Sequence, residues 1–196
     1  PPCPPFSKSR FYRTDKKRGI EDESGFLTVS NYFRALEELN PKFFFFENVA
    51  GFVFKPHKAA LDMVKEESER LGYKIVYKVI NAANYGVPQI RQRFICVGVK
   101  KDLKDFVFPE ETHSENGENG KKKWVTCGDV KGDIDYDLPE DKERLAGSKH
   151  KHLLPLVPPG DNYLFFTEKR GYPQPIFKWR SRYWSFLLKL SPQKPS

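Results

Sequence analysis

Cys3 and Glu47 carry side chains that could act together in covalent catalysis, a thiol as nucleophile and a carboxyl that holds a proton. Cys3 lies in PPCPPFS at the start of the chain, and Glu47 directly follows the apolar run FFFF. Ligands of open α/β sheets bind beyond the carboxyl ends of the strands. If Cys3 also follows a strand, a nucleophilic thiol and a proton-holding carboxyl would meet at one sheet edge. The alternatives are a small buried cysteine and an ordinary surface acid.

The segment PQIRQRF adds polar side chains just before an apolar stretch. It contains Gln89, Arg91 and Arg93, and the two arginines are two residues apart. Side chains with this spacing point to the same side of a strand. The pair could clamp a phosphate or hold a carboxylate, because guanidinium groups bind both in a forked geometry. The alternative is a basic strand edge that only aids solubility.

The spacing of apolar side chains predicts the helices and strands that would position these residues. Apolar side chains from Val29 to Leu39 recur at helical spacing, and Asn40-Pro41 is expected to end that helix. The run FFFFENV predicts a strand buried on both faces, as in a parallel sheet. Residues 57–71 predict a second helix, and residues 73–80 and 93–99 predict two further strands. This order favours an α/β fold with a mainly parallel sheet.

The pattern changes after about residue 105, where short segments rich in Pro, Gly, Lys and aromatic residues show no clear period. We therefore predict two domains, 1–105 and a smaller, irregular, mostly β and loop domain at 106–196. Trp179 and Tyr183 could belong to the core of that second domain, or they could lie in a surface that reads bases.

Charge and cysteine content narrow the function classes. The net charge of +8 points towards a polyanion such as nucleic acid. Residues 8–18 are strongly basic, and taken alone they are typical of an exposed loop with a solvated charge run. The three cysteines are widely spaced, so neither a disulfide framework nor a zinc site is indicated. No apolar run is long enough to cross a membrane, so we expect no membrane partner. From the cysteine pattern we expect no metal and a reducing, cytoplasmic setting.

Taken together, these segments resemble the cytosine-C5 DNA methyltransferases. PPCPPFS is similar to the family's Pro-Cys motif, FFFFENVAGF to its Glu-Asn-Val motif, and NYGVPQIRQRF to its Gln-x-Arg-x-Arg motif. GIEDESGFL resembles the segment between the first two motifs, and SPQKPS resembles the start of the ninth. The resemblance implies part of a Rossmann-like, S-adenosylmethionine-dependent methyltransferase sheet, followed by a target-recognition domain.

The resemblance also implies catalytic roles. Cys3 would add to C6 of a flipped-out cytosine, and Glu47 would hold a proton at N3. Arg93 would fix Glu47, and Arg91 would lie beside the phosphates. Pro2 and Leu27 would contact S-adenosylmethionine. Double-stranded DNA is the implied partner, bound by a larger set of residues: Ser7, Lys8, Arg10, Arg13, Lys16, Lys17, Arg18, Gln89, Arg180 and Arg182.

Most of the cofactor pocket is expected to lie outside this chain, which would then be inactive alone and could depend on a complementary chain. The expected setting is the prokaryotic cytosol or nucleoid, in a restriction–modification system. Two alternatives stay open, namely a tRNA cytosine-C5 methyltransferase of the same family and a non-catalytic DNA-binding fragment or subunit.

Overall fold

The computed structural model describes residues 4–6, 17–131, 150–179 and 187–196. The chain forms two compact units, Pro1–Ala82 with Arg91–Glu110, and Ala83–Ile90 with Glu111–Ser196. The first unit contains helices and strands in alternation, so the predicted α/β class is confirmed. The functional division into 1–105 and 106–196 stays a prediction.

Helix α1, Glu23–Leu39, begins and ends where its sequence signals lie. Asp22 caps the first turn by accepting a hydrogen bond from the backbone N–H of Ser24 at 3.1 Å. Asn40 closes the last turn in the left-handed conformation, and its N–H donates to the carbonyl of Leu36 at 2.9 Å. The predicted stop before Pro41 is therefore confirmed.

Along the chain, strand β1, Phe43–Val49, is followed by helix α2, Lys58–Arg70, and then by strand β2, Tyr73–Asn81. Gly72 turns the chain from α2 into β2 with a positive φ of 77°. Arg70 joins the two helices, since its guanidinium donates to both carboxylate oxygens of Glu37 at 2.7 and 3.0 Å.

Strand β3, Gln92–Lys100, lies between the other two strands, so the sheet order is β1-β3-β2. It runs antiparallel to both neighbours. The prediction of a mainly parallel sheet is wrong for these strands. The reason is topological, because the crossover through α2 sets β1 and β2 in the same direction while β3 returns between them.

The prediction that the phenylalanine run is buried on both faces is also wrong. Phe44 and Phe46 are buried, whereas Phe43 and Phe45 are 67% and 58% exposed. Alternation of this kind is the mark of a strand that buries one face. The run of four phenylalanines conceals this period, because both faces carry the same side chain.

The core of the first unit lies between the buried face of the sheet and the two helices. Gly98 on β3 is required there, because a Cβ at this position would lie 2.0 Å from the ring of Phe44. The core also includes one residue of the short 3-10 turn Pro4–Phe6, several helical side chains and buried strand residues: Phe6, Val29, Phe33, Leu36, Phe44, Phe46, Phe52, Ala60, Val64, Tyr73, Phe94 and Cys96.

The second unit is irregular, as predicted. Its described part contains two-residue strands β4, His113–Ser114, and β5, Lys122–Lys123, and the short helix α3, Cys127–Lys131. Several 3-10 turns complete it around a separate aromatic core: Leu153, Val157, Tyr163, Phe166, Phe177 and Leu187. In the described part of the chain, no helix has the length and apolar character that a membrane span requires.

Candidate active site

The candidate site is built on the C-terminal end of β1. Alternation along the strand places Phe46 and Asn48 on the buried face and Glu47 on the opposite face. The Glu47 side chain is 41% exposed, so its carboxyl can be reached from outside the unit. Strand β1 therefore presents one accessible carboxylate directly beyond a well-packed apolar segment.

Arg93 holds this carboxylate from the neighbouring strand. Its Nε lies 2.8 Å from Oε1 of Glu47, and its Nη1 donates to the carbonyl of Gln92 at 2.8 Å. The register places Val49 opposite Arg93, so Glu47 is the diagonal neighbour two positions along β1. The carboxylate thus has a fixed orientation at the strand end.

Arg91 and Gln89 lie outside the strand. Arg91 precedes β3 and is exposed, and its backbone N–H donates to Oδ1 of Asn81 at 3.0 Å. Gln89 belongs to the second unit, where it is exposed and its backbone N–H donates to the carbonyl of Val87 at 2.7 Å. Both side chains are accessible, which their predicted contacts with DNA require.

The chain just after Cys3 is anchored to the first unit. Phe6 is buried, and its ring centroid lies 4.7 Å from that of Phe52 and 5.6 Å from that of His57. Gly51 makes the approach possible, because a Cβ there would lie 2.5 Å from the carbonyl oxygen of Phe6. The anchored segment and Glu47 therefore belong to one packed unit.

Three further predicted residues are described. Lys17 is exposed and Arg18 is half-buried. Leu27 lies on α1 with 44% of its surface exposed. The remaining predicted site residues fall outside the described residues: Pro2, Cys3, Ser7, Lys8, Arg10, Arg13, Lys16, Arg180 and Arg182.

Trp179 is 39% exposed, and Nζ of Lys169 lies 4.1 Å from the centre of its ring. It is therefore not a fully buried core residue. Tyr183 lies outside the described residues.

The environments of two buried titratable groups limit their chemistry. Burial raises the pKa of the Cys96 thiol to about 12, so this cysteine cannot supply a thiolate at neutral pH. Burial lowers the pKa of His57, and the positive charge of Arg18 acts in the same direction. In the described part of the chain, no three or more His, Cys, Asp or Glu residues are grouped to hold a metal ion.

Sequence reasoning missed Gly51 and Phe6 as residues that anchor the segment after Cys3. Gly51 lies in the quoted stretch FFFFENVAGF, but its role depends on a close backbone approach to Phe6 that spacing does not reveal. The one available signal was a small residue, Gly51, within an otherwise bulky apolar stretch.

Comparison with known proteins gives a consistent result. A family model described as C-5 cytosine-specific DNA methylase matches residues 1–181. The chain is 39% identical to the Type II methyltransferase M.SacI of Streptomyces achromogenes, over 100% of this chain and 50% of that protein. It is 37% identical to the Type II methyltransferase M.NgoFVII of Neisseria gonorrhoeae, over 76% of this chain and 40% of that protein.

Among solved structures, the S. pombe Dnmt2 methyltransferase matches 54% of this chain and 29% of its own length, with 20% identity and a TM-score of 0.36. The chain spans half or less of the length of the two curated relatives.

Proposed function

This chain belongs to the C-5 cytosine-specific DNA methylase family, and on that premise we propose that the complete protein is a DNA (cytosine-5-)-methyltransferase of a restriction–modification system. The observation that carries the proposal is the Arg93–Glu47 ion pair at the end of β1. It fixes an accessible carboxyl at the strand end where a flipped-out base could be held.

The proposed chemistry begins with Cys3. Its thiolate forms a bond to C6 of cytosine, which makes C5 nucleophilic, because C5 of the intact ring is too weak a nucleophile to accept a methyl group directly. Glu47 holds a proton at N3 and so offsets the charge that develops on the ring. After methylation, loss of the C5 proton allows the C6–S bond to break, and Cys3 is released as a thiolate.

Arg93 acts on this reaction mainly through Glu47. The guanidinium fixes the rotamer of the carboxyl before the base arrives, which reduces the reorganisation needed during the reaction. Arg91, which is exposed just before β3, is placed in our proposal beside the backbone phosphates of the flipped nucleotide.

The methyl donor we propose is S-adenosylmethionine, which when bound supplies an electrophilic methyl group to C5. Leu27 suits one wall of such a site, because it presents an exposed apolar side chain on α1 that an adenine ring could cover. Pro2 is the second proposed contact. We place the rest of the pocket in the part of the family's length that this chain does not span.

The partner in this proposal is double-stranded DNA. Lys17 and Arg18 contact phosphates together with the basic residues of 8–18, and Gln89 and Ser7 contact the strand near the flipped base. Residues 1–105 would then be catalytic and 106–196 would recognise the target, with Arg180 and Arg182 as candidate readers of base edges. The proposed location is the prokaryotic cytosol or nucleoid.

The test is covalent trapping. The complete protein is incubated with S-adenosylmethionine and long PCR-made duplex DNA in which 5-fluorodeoxycytidine replaces deoxycytidine, so the target sequence need not be known. Fluorine does not leave as a proton does, so the adduct should persist on a denaturing gel. Cys3→Ser is the control and should give no adduct. The same adduct with Cys3→Ser, or none with either protein, would contradict the assignment.

A further inference from the structure

The segment Ala83–Ile90 follows β2 along the chain but belongs to the second unit. Its first part is held at Asn84, whose backbone carbonyl accepts the N–H of Thr112 at 3.0 Å. The Oδ1 of Asn84 also accepts the indole N–H of Trp124 at 2.9 Å. The second unit therefore fixes the start of this segment, and Gln89 lies near its other end.

Ser196 holds the end of the segment on both sides of Gln89. Its backbone N–H donates to the carbonyl of Pro88 at 3.0 Å. Its own carbonyl accepts the backbone N–H of Ile90 at 2.7 Å. One residue of the second unit therefore fixes the backbone immediately before and immediately after Gln89.

The backbone at Gln89 itself forms a tight turn. Its N–H donates to the carbonyl of Val87 at 2.7 Å, which closes a three-residue turn centred on Pro88. Proline has a fixed φ, so this turn has little freedom of its own. The Gln89 side chain is exposed at this point. Its direction is therefore set by the turn and by the residue that holds the turn.

The segment before Ser196 is itself fixed to helix α3. Gly128 donates its N–H to the carbonyl of Pro192 at 2.9 Å, and Cys127 donates its N–H to the carbonyl of Lys194 at 3.0 Å. A Cβ at residue 128 would lie 2.5 Å from the Pro192 oxygen, so this close approach requires a glycine. Ser196 is thus carried by a supported segment and can act as a fixed point for the turn.

We propose that Ser196 is a positioning residue, whose backbone holds Gln89 in the orientation in which its amide meets the DNA strand beside the flipped base. This inference rests on the proposed methyltransferase function, which places Gln89 at that strand. A glutamine amide both donates and accepts hydrogen bonds, so a change in backbone direction would misplace both of its ends. Ser196 acts through Gln89 and does not itself touch the DNA in this proposal.

The test removes the N–H of residue 196 without changing charge. Ser196→Pro cannot donate to the Pro88 carbonyl. In the complete protein, the rate of adduct formation with the 5-fluorodeoxycytidine DNA should fall about 2–12-fold, as the loss of one hydrogen-bonded contact predicts. Ser196→Ala keeps both backbone groups and loses only a hydroxyl 3.3 Å from the same oxygen. It should react at the wild-type rate, because an O–H contact of that length is weak.

Non-additivity separates positioning from a merely structural role. Gln89→Ala should slow adduct formation by a similar factor, because it removes the contact outright. Adding Ser196→Pro to Gln89→Ala should change the rate by no more than about 1.5-fold, since two changes that act through one contact do not add. If the two factors multiply, or if either single change leaves the rate unaltered, the inference is overturned.

The matched control is Ile176→Pro. Ile176 also follows a proline and donates its backbone N–H within the second unit, to the carbonyl of Phe166 at 3.0 Å. Ile176→Pro should lose comparable stability in urea unfolding, and any effect on the adduct rate should multiply with that of Gln89→Ala. If Gln89→Ala abolishes the effects of Ile176→Pro and Ser196→Pro equally, the masking is not specific to Ser196 and the inference is also overturned.

If Ser196→Pro does not fold, Gly128→Ala disturbs the same support from α3, because its methyl group meets the Pro192 oxygen. Gly128→Ala should slow adduct formation, and this effect should disappear in the Gln89→Ala background. An effect that persists there would overturn the inference. If wild type forms no adduct, the proposed function fails as well, whereas a reactive wild type with multiplying factors rejects only the role of Ser196.

Discussion

Replacement of Arg93 by alanine should reduce catalysis far more than it reduces stability. The Arg93 and Glu47 side chains are 24% and 41% exposed, so their ion pair is partly open to solvent and is screened by it. A pair of this kind contributes about 0.2–1 kcal/mol to the free energy of unfolding. The loss in stability should therefore fall in that range.

The effect on the reaction is larger because the carboxyl must be held correctly while charge develops on the base. A hydrogen bond to a charged group is worth about 1.5–3 kcal/mol. If that interaction is needed only in the transition state, the methyl-transfer rate should fall about 10–150-fold, since each 1.36 kcal/mol is a factor of ten. Arg93→Lys should remain impaired, because an ammonium group cannot reproduce the rigid plane from which Arg93 contacts Glu47 through Nε and the Gln92 carbonyl through Nη1.

The matched control is Arg70→Ala on α2, which breaks ion pairs of comparable length with Glu37 and Glu67 at a more exposed arginine. The assays are single-turnover transfer of a labelled methyl group by the complete protein and urea unfolding of each variant. Arg70→Ala should lose similar stability and keep its rate. A methyl-transfer rate for Arg93→Ala within twofold of wild type, or an equal loss of rate for both variants, would refute the reasoning.

Three further outcomes are expected. Glu47→Gln should lower the methyl-transfer rate about 10²–10⁴-fold while DNA affinity changes little, and parallel losses would make Glu47 a contact residue only. Gly98→Ala should cost about 1–3 kcal/mol in urea unfolding, because the new methyl meets the Phe44 ring, and Phe44→Ala in the same chain should make the glycine change less costly. Because burial lowers the pKa of His57, the folded protein binds a proton there less readily than the unfolded chain. Stability should therefore be full above about pH 6.5 and should fall as the pH drops below it, and His57→Gln should flatten the curve below about pH 6.5.

Local elements were predictable from the sequence because their signals are local. Both helices follow from apolar spacing, and α1 ends at Asn40 as its sequence indicates. The strands were also located correctly, since each is a short apolar run bounded by turn residues. The pairing of the strands was not predictable in this way, because insertion of β3 between β1 and β2 is decided by tertiary packing.

The candidate site was likewise predictable in its residue types but not in its geometry. The sequence singled out Glu47 and Arg93 as residue types, and resemblance to a family linked them. The diagonal register that brings their side chains to 2.8 Å is a property of the antiparallel pairing, which had been expected to be parallel. Gly51 could not be assigned a role at all, because that role rests on its close approach to Phe6.

The position of β3 also has a consequence for synthesis on the ribosome. Strand β1 emerges before β3, its hydrogen-bonding neighbour in the described sheet, which follows only after α2, β2 and the next loop. At about 5–20 residues per second, that delay lasts on the order of seconds. During this interval the edge of β1 that β3 later covers is open to pairing with other chains. Glu47 contacts Arg93 only when β3 is inserted, so the carboxylate that we propose to be catalytic is fixed in place only after β3 has been synthesised.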